Sequence, residues 1–271
     1  MEEPLTVLDD THNGSREERA GRQMTSVAKA LQLLDAFRKA RADMSLSELA
    51  RRADVPKSTA FRLLAELEQS GFVARNGTKY RLGLSCFELG ARYSMCRPNG
   101  LRDTASHFLS HLHTATGLTA HLAVLDGPEI LHVEKVQGPN NPVVLTMPGQ
   151  RHPASCTALG KTLLAFGSSE DVRTALDAGL PRFTPHSITD PRRFMSELKR
   201  IRESGVAYNR QELSRELVCV AAPIIVHGTI EAAVSVSGPT AGVRWDRTEM
   251  LVRRAAADIS AARGRNTSSQ I

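Results

Sequence analysis

The segment from Ser45 to Leu82 constrains the fold more than any other, because its pattern is that of two short helices followed by a β-hairpin. Ser45 and Glu48 stand three residues apart before an apolar run, which is the capping-box signature of a helix start. Asp54-Val55 then predicts a turn, and Pro56 suits the start of the second helix, where its missing N–H is not needed. The segment therefore predicts a winged helix-turn-helix.

The second predicted helix separates into an apolar stripe and a polar, cationic face. At 100° per residue, Leu63, Leu64 and Leu67 fall on one stripe that must face a core. Ser58 and Arg62 point the opposite way. A DNA-recognition helix needs such a face, with side chains for base edges and free N–H groups for phosphates at its start.

The predicted hairpin adds more cations. Gly71 suits the end of the second helix, and two short β segments then flank Asn76-Gly77-Thr78. Together the helix and the hairpin supply these candidate DNA-binding residues: Lys57, Ser58, Thr59, Phe61, Arg62, Arg75, Lys79 and Arg81.

These residues divide by expected role. We expect Ser58, Thr59 and Arg62 to read bases, because they project from the exposed helix face. Lys57, Arg75 and Lys79 should mainly hold phosphates. The alternative is a three-helix bundle whose basic face contacts protein.

The charge distribution favours the DNA-binding interpretation. Residues 20–97 contain fourteen Lys and Arg against seven Asp and Glu, whereas the whole chain of 271 residues has a net charge of +6. The positive excess thus gathers around the predicted helix-turn-helix, as phosphate binding requires. The 4 cysteines have no metal-type spacing, so we expect no metal or cofactor and a reduced, cytoplasmic protein. The sequence contains no run typical of a membrane span, so we expect no membrane partner.

The first predicted helix, Ser26 to Ala40, has an unusually wide apolar stripe that includes Val27 and Leu31. This width leaves two alternatives open, namely packing on a second subunit or a fully buried helix. A linker helix is predicted from Leu84 to Arg97, before a break at Pro98-Asn99-Gly100.

The rest of the chain mixes helices with alternating β patterns, which predicts an α+β domain with a mainly antiparallel sheet. Predicted helices are Leu101–Thr116, Ala158–Phe166, Ser169–Ala178, Pro191–Ser204 and Asp246–Arg263. Predicted strands are Leu118–Leu125, Ile130–Val136, Pro142–Met147, Val206–Arg210, Val218–Val226 and Ile230–Val236.

Taken in order, the motifs resemble the IclR family of bacterial transcriptional regulators over residues 26–263. Those of the first domain are Ser26-Val27-Ala28-Lys29-Ala30-Leu31, Pro56-Lys57-Ser58-Thr59, Arg62-Leu63-Leu64 and Tyr80-Arg81-Leu82-Gly83. Those of the second are Gly149-x-Arg151-x-Pro153, Ala158-x-Gly160-Lys161, Cys219-Val220-Ala221-Ala222-Pro223 and Ser235-Val236-Ser237-Gly238-Pro239.

The resemblance implies a winged helix-turn-helix joined to a GAF-like effector domain, in a homodimer or homotetramer that binds a pseudo-palindromic operator in double-stranded DNA. Within this architecture, we expect a disordered tail over residues 1–24, a DNA-binding domain over 25–84, a linker helix over 85–100, an effector domain over 101–264 and a tail over 265–271. The implied effector pocket is formed by Val144, Leu145, Ala158, Leu159, Gly160, Asn209, Cys219, Ser235 and Ser237. Relatives carry an acid where this chain has Asn209.

Simple physics supports part of this pocket. Ser235 and Ser237 are two residues apart on a predicted strand, so both hydroxyls face the same side. The helix that begins at Ala158 presents N–H groups that favour a carboxylate, so we expect a small organic acid, possibly an aromatic one. The alternatives are that the two serines only satisfy backbone groups, and that Lys161 is a surface cation.

Each named residue also has a simpler interpretation. Cys219 suits core packing, while Arg151 and His152 are more typical of loop structure than of ligand contacts. Two other functions compete with a ligand-controlled regulator, more often a repressor than an activator. One is a thiol enzyme using Cys156 or Cys219, which lacks an accompanying catalytic motif, and the other is an architectural DNA binder without a ligand.

Overall fold

The computed structural model describes residues 24–39, 43–137, 146–241 and 243–268. The chain divides into two units between Gly90 and Ala91. The predicted tail over residues 1–24, all but its last residue, lies outside the described residues, as does most of the strand predicted at Pro142–Met147. None of the described helices is long and apolar enough to cross a bilayer.

The first unit is a helix-turn-helix with a small antiparallel sheet. Its helices are α1 (Ser26–Asp35), α2 (Leu46–Arg52), α3 (Lys57–Gln69) and α4 (Leu84–Arg92). Its strands are β1 (Met44–Ser45), β2 (Val73–Asn76) and β3 (Lys79–Leu82), in the spatial order β1-β3-β2. The short strand β1 had no signal in the sequence pattern, because a two-residue strand is too short to show alternation.

The turn between α2 and α3 depends on local backbone geometry. Asp54 adopts a positive φ of 51°, and the N–H of Val55 donates to the carbonyl oxygen of Ala50 at 2.9 Å. Only half of the predicted capping box forms, since the Ser45 hydroxyl accepts from the Glu48 N–H at 3.3 Å while the Glu48 carboxylate pairs with Arg52.

Two helices of this unit differ from the sequence prediction. The first helix ends at Asp35 and continues as a 3-10 turn over Ala36–Lys39. Val27 and Leu31 of α1 are 70% and 60% exposed, so the alternative of a fully buried first helix is wrong for the single chain. The linker helix ends at Arg92, because the following residue adopts an extended backbone conformation.

The second unit confirms the α+β class with an antiparallel sheet. Its helices are α5 (Leu101–Thr116), α6 (Ala158–Phe166), α7 (Ser169–Asp177), α8 (Pro191–Ser204) and α9 (Trp245–Ser268). Its strands are β4 (Thr119–Asp126), β5 (Glu129–Val136), β6 (Arg151–Pro153), β7 (Ala207–Arg210), β8 (Leu217–Val226) and β9 (Thr229–Pro239). Their spatial order is β6-β5-β4-β9-β8-β7.

Helices cover both faces of this sheet. Helices α5 and α9 pack on one face, where Leu109 and Ile259 meet Val236 of β9. Helices α6 and α8 cover the other face, where Leu164 and Phe194 are fully buried. Because both faces are buried, β8 is a nearly continuous apolar run rather than an alternating one.

Candidate functional site

The exposed face of α3 carries the predicted base-reading residues. Lys57, Ser58 and Arg62 are exposed, Thr59 is half-buried, and Phe61 is 53% exposed. Pro56 precedes the helix without a side-chain cap, which leaves the first N–H groups of α3 for an external acceptor such as a phosphate.

The hairpin separates the predicted phosphate-binding residues onto two faces. Lys79 pairs with Asn76 and is exposed, and Arg81 lies two residues on, with its side chain on the same face. Arg75 lies opposite Tyr80, donates to the tyrosine hydroxyl at 2.9 Å and lies 3.5 Å from the carboxylate of Glu68. The structure thus anchors Arg75 within the domain, whereas Lys79 and Arg81 point outward.

In the second unit, the register of the sheet aligns polar side chains in a row. Thr119 lies directly opposite Ser237, Ser237 opposite Cys219, and Cys219 opposite Asn209. Cross-strand partners project from the same face of a sheet, so the row forms one polar wall. The next row places His121 opposite Ser235.

Ser237, Cys219 and Asn209 of this wall line a narrow cavity on the α6 face of the sheet, with a free volume of about 30 Å³. Of the predicted pocket residues, the structure brings these together around the cavity: Ala158, Leu159, Asn209, Cys219, Ser235 and Ser237. The residues that sequence reasoning did not assign to it are His121, Ile130, His132, Thr146, His152, Thr157, Leu213 and Leu217. Val144 and Leu145 lie outside the described residues.

Gly160 has a packing role instead of lining the cavity. A Cβ at this position would lie 2.3 Å from the Cα of Ala154, so only glycine permits the close approach of α6 to that turn. Its N–H donates to the hydroxyl of Thr157, the N-cap of α6, at 2.9 Å. The N–H groups of Ala158 and Leu159 precede it in the first turn, where a helix has no internal acceptors for them.

A buried ion pair holds the loop that supports Asn209. Lys161 is 0% exposed, so the alternative of a surface cation is wrong, and its ammonium group lies 2.5 Å from Glu212 and 3.5 Å from Glu197. The backbone N–H of Glu212 donates to the Asn209 side-chain oxygen at 2.9 Å. The Asn209 amide nitrogen donates to the carbonyl oxygen of Cys156 at 2.7 Å. Asn209 is therefore fixed by the protein before any ligand enters.

Both buried thiols are held in the protonated state. Burial raises the pKa of Cys156, and it raises the pKa of Cys219 to about 11. The hydroxyl of Ser237 donates to the Cys219 sulfur at 3.0 Å. A neutral thiol is a poor nucleophile, so this environment does not favour thiol catalysis.

Three histidines from neighbouring strands form a cluster at the cavity. The rings of His121 and His132 have centroids 5.3 Å apart, as do those of His132 and His152. The Nε2 atom of His121 lies 2.7 Å from the Thr146 hydroxyl. The cluster could have been detected in the sequence, because His121 and His132 interrupt apolar strand patterns, although a single buried histidine is more often structural.

Two family models match this chain in the order of its two units. The model for the IclR helix-turn-helix domain matches residues 26–77, and the model for the C-terminal part of bacterial IclR transcriptional regulators matches residues 95–261. The chain belongs to the IclR family. It is accordingly a DNA-binding transcriptional regulator.

Individual IclR-family proteins are similar over most of the chain. The Escherichia coli regulator XynR is 32% identical over 222 residues, covering 80% of this chain and 87% of XynR. The E. coli regulator KdgR is 32% identical over 248 residues, covering 89% and 93%. The E. coli repressor AllR is 29% identical over 258 residues, covering 93% and 94%. These relatives are named as regulators of transcription.

Solved structures share the fold of this IclR-family chain. An IclR homologue from Microbacterium hydrocarbonoxydans, complexed with 4-hydroxybenzoate, has a TM-score of 0.82 and 28% identity, covering 88% of this chain and 98% of that one. The IclR protein of Thermotoga maritima has a TM-score of 0.71 and 31% identity, covering 89% and 100%.

Replacing Lys161 by Met should lower the free energy of unfolding of the second unit by about 3–5 kcal/mol, because Glu212 is left buried without its cation. Trp245, the single tryptophan, lies in this unit and reports its unfolding by fluorescence during urea denaturation. The double variant Lys161→Met/Glu212→Leu should recover most of the loss. The control Lys199→Met, on the exposed face of α8, should change the value by less than about 0.5 kcal/mol. An equal effect of Lys161→Met and Lys199→Met would contradict this assignment.

The second unit should lose stability as the pH falls from about 7 to about 5. The three cluster histidines have pKa values below their ordinary 6.5 in the folded state, so the unfolded state binds more protons in this range. Each ring that stays neutral contributes a slope of about 1.4 kcal/mol per pH unit below about 6.5. Urea denaturation followed by Trp245 fluorescence at several pH values measures this dependence of the free energy of unfolding on pH. His132→Gln should flatten the slope, and the exposed-residue control His111→Gln should not.

Proposed function

We propose that this regulator is a repressor of a metabolic operon, and that a small organic acid bound in the cavity of the second unit controls its affinity for DNA. The observation that carries the proposal is the cavity, where the start of α6, two serine hydroxyls and three histidines converge. A cavity with a few convergent polar groups in an otherwise apolar wall is typical of small-molecule sites.

The dimensions of the cavity support a small ligand. The free volume of the cavity, about 30 Å³, is enough for roughly two or three water molecules. An acid of a few non-hydrogen atoms needs little rearrangement to enter. The Microbacterium relative is complexed with 4-hydroxybenzoate. Because the cavity of this chain is small, an aromatic acid of that size would require it to widen.

The carboxylate would be held at the start of α6, with the Ser235 and Ser237 hydroxyls and the Asn209 amide completing the site.

 At the helix start, the donors to the carboxylate would be the backbone N–H groups of Ala158 and Leu159, because free N–H groups in the first turn of a helix suit an anion. The donors are fixed before the acid enters, so little ordering entropy is lost on binding.

Exposed apolar side chains support assembly into a dimer or tetramer. Val27 and Leu31 of α1 are exposed, as are Leu84 and Phe87 of α4, at 78% and 74%. Large apolar side chains grouped on a surface are typical of subunit interfaces. A two-fold assembly presents two equivalent recognition helices, which suits a pseudo-palindromic operator.

Control of DNA binding requires that the acid binds one arrangement of the subunits or domains better than another. Helix α4 is suited to couple the two units, because the chain passes from one to the other near its C-terminal end.

The two competing functions have less support. The raised pKa values of Cys156 and Cys219 oppose a thiol enzyme, and a cavity with convergent polar groups opposes a binder without a ligand.

Arg62→Ala should weaken operator binding by about 1–3 kcal/mol and relax sequence preference, because a bidentate contact with guanine would be lost. Lys79→Ala should weaken binding to all sequences alike and lower the salt slope by about one, because it removes one phosphate contact. Fluorescence anisotropy with operator and scrambled DNA at several salt concentrations measures both effects. Lys199→Ala in the second unit is the control. Identical selectivity and salt slopes for Arg62→Ala and Lys79→Ala would contradict the division of roles.

The double variant Ser235→Ala/Ser237→Ala should bind operator DNA normally but no longer respond to the acid, because the hydroxyl donors of the cavity are removed. A thermal-shift screen of small carboxylates, with pyruvate and 4-hydroxybenzoate among them, identifies an acid that binds the wild type. A ligand at 100 times its dissociation constant adds about 2.7 kcal/mol to the folded state. Ser196→Ala on the exposed face of α8 is the control. An unchanged response of the double variant would place the effector elsewhere.

A further inference from the structure

We propose that the cavity takes up one proton together with its acid, and that His152 in the cluster of His121, His132 and His152 carries this proton. The anion would then be balanced by an imidazolium that exists only in the bound state. This inference rests on the proposed function, since it concerns the acid expected in the same cavity.

The first support is the charge of the cavity lining. Among the residues that the structure describes, no Asp, Glu, Lys or Arg lines the cavity. A carboxylate buried there without a cation would be strongly destabilised. The dipole at the start of α6 supplies only part of a positive charge, so the remaining compensation has to come from elsewhere.

The second support is the unsatisfied hydrogen-bonding capacity of the cluster. The Nδ1 atoms of His121, His132 and His152 are buried and have no hydrogen-bond partner among the described residues. His121 is 2% exposed and His132 is 4% exposed, and all three rings line the cavity. Buried polar atoms normally have partners, so three orphan nitrogens at one cavity point to a ligand that satisfies them.

Without a ligand the cluster is neutral. Burial, together with the nearby charges of His152 and Lys135, lowers the pKa of His132 to about 3. Burial also lowers the pKa values of His121 and His152, while the carboxylate of Glu129 partly offsets the effect at His152. His152 is half-buried, so it is the ring that an added anion can protonate most readily.

The surrounding charges do not replace this proton. The Lys135 ammonium group donates to the carbonyl oxygen of Thr146 at 2.7 Å and does not line the cavity. Arg151 pairs with Asp126 and with Glu129. Lys161 of α6 pairs with Glu212 and Glu197. Cys219 stays protonated because its pKa is about 11.

The coupled step is a simple protonation. The acid enters as its carboxylate, and a proton from solvent or buffer binds a ring nitrogen of His152, so that charge is balanced and no covalent bond of the ligand breaks. His132 stays neutral, because a second imidazolium with its ring centroid 5.3 Å from that of His152 would repel the first. His121 stays neutral because its ring is almost fully buried. Between the pKa of free and bound His152, affinity should fall about tenfold for each pH unit of increase.

Isothermal titration calorimetry in two buffers of different ionisation enthalpy, HEPES and Tris, counts the protons. Pyruvate and 4-hydroxybenzoate serve as probes, and pyruvamide and 4-hydroxybenzamide serve as uncharged counterparts. We expect uptake of about one proton per bound acid near neutral pH and of none per bound amide. Acid binding without proton uptake overturns this inference and leaves the proposed function intact. Binding of neither acid, with no shift in melting temperature, overturns both.

His152→Gln tests the assignment, because the amide keeps hydrogen-bonding groups but cannot take up a proton. Its dissociation constant should change less than about twofold over one pH unit, where that of the wild type changes about tenfold. His111→Gln on the exposed face of α5 is the matched control and should keep the wild-type profile. The melting temperature without acid checks that both variants fold. Full proton uptake by His152→Gln would overturn the assignment to this residue, and a loss of uptake in His111→Gln would overturn the role of the cavity.

Discussion

The pairing register of the six-stranded sheet is the constraint on which the site depends. It places Thr119, Ser237, Cys219 and Asn209 directly opposite one another across four strands. Because cross-strand partners share a face, a slip of one residue in any strand would turn its polar side chain to the opposite face of the sheet. Burial of both faces between helix layers fixes the register, since such a slip would also exchange the side chains that are packed in the two cores.

The cost of burying polar groups explains how the cavity is arranged. Lys161, Glu212 and Asn209 are buried and bond to one another or to nearby backbone groups, so they hold the loop beside the cavity, although Oε2 of Glu212 has no partner among the described residues. The histidine cluster behaves differently, because its Nδ1 atoms have no partners among the described residues. The first group therefore contributes structure, whereas the second retains unused hydrogen-bonding capacity at the cavity.

The two units use charge in different ways. The first exposes Lys57 and Arg62 on α3 and Lys79 on the hairpin, where water screens their charges. The second buries its charges in pairs and lines its cavity with neutral groups. Exposed positive charge, which attracts DNA over a long range, and a cavity lined by neutral groups therefore occur in different units.

The sequence by itself determined the family, the winged helix-turn-helix and most elements, since α6 and α8 have the predicted bounds. These features depend on caps, turns and periodicity, which are local. Tertiary structure alone decided that Lys161 is buried, that Arg75 turns toward Tyr80, and that three histidines from β4, β5 and β6 meet. Such contacts depend on strand register and packing between residues distant in the chain, which no local pattern encodes.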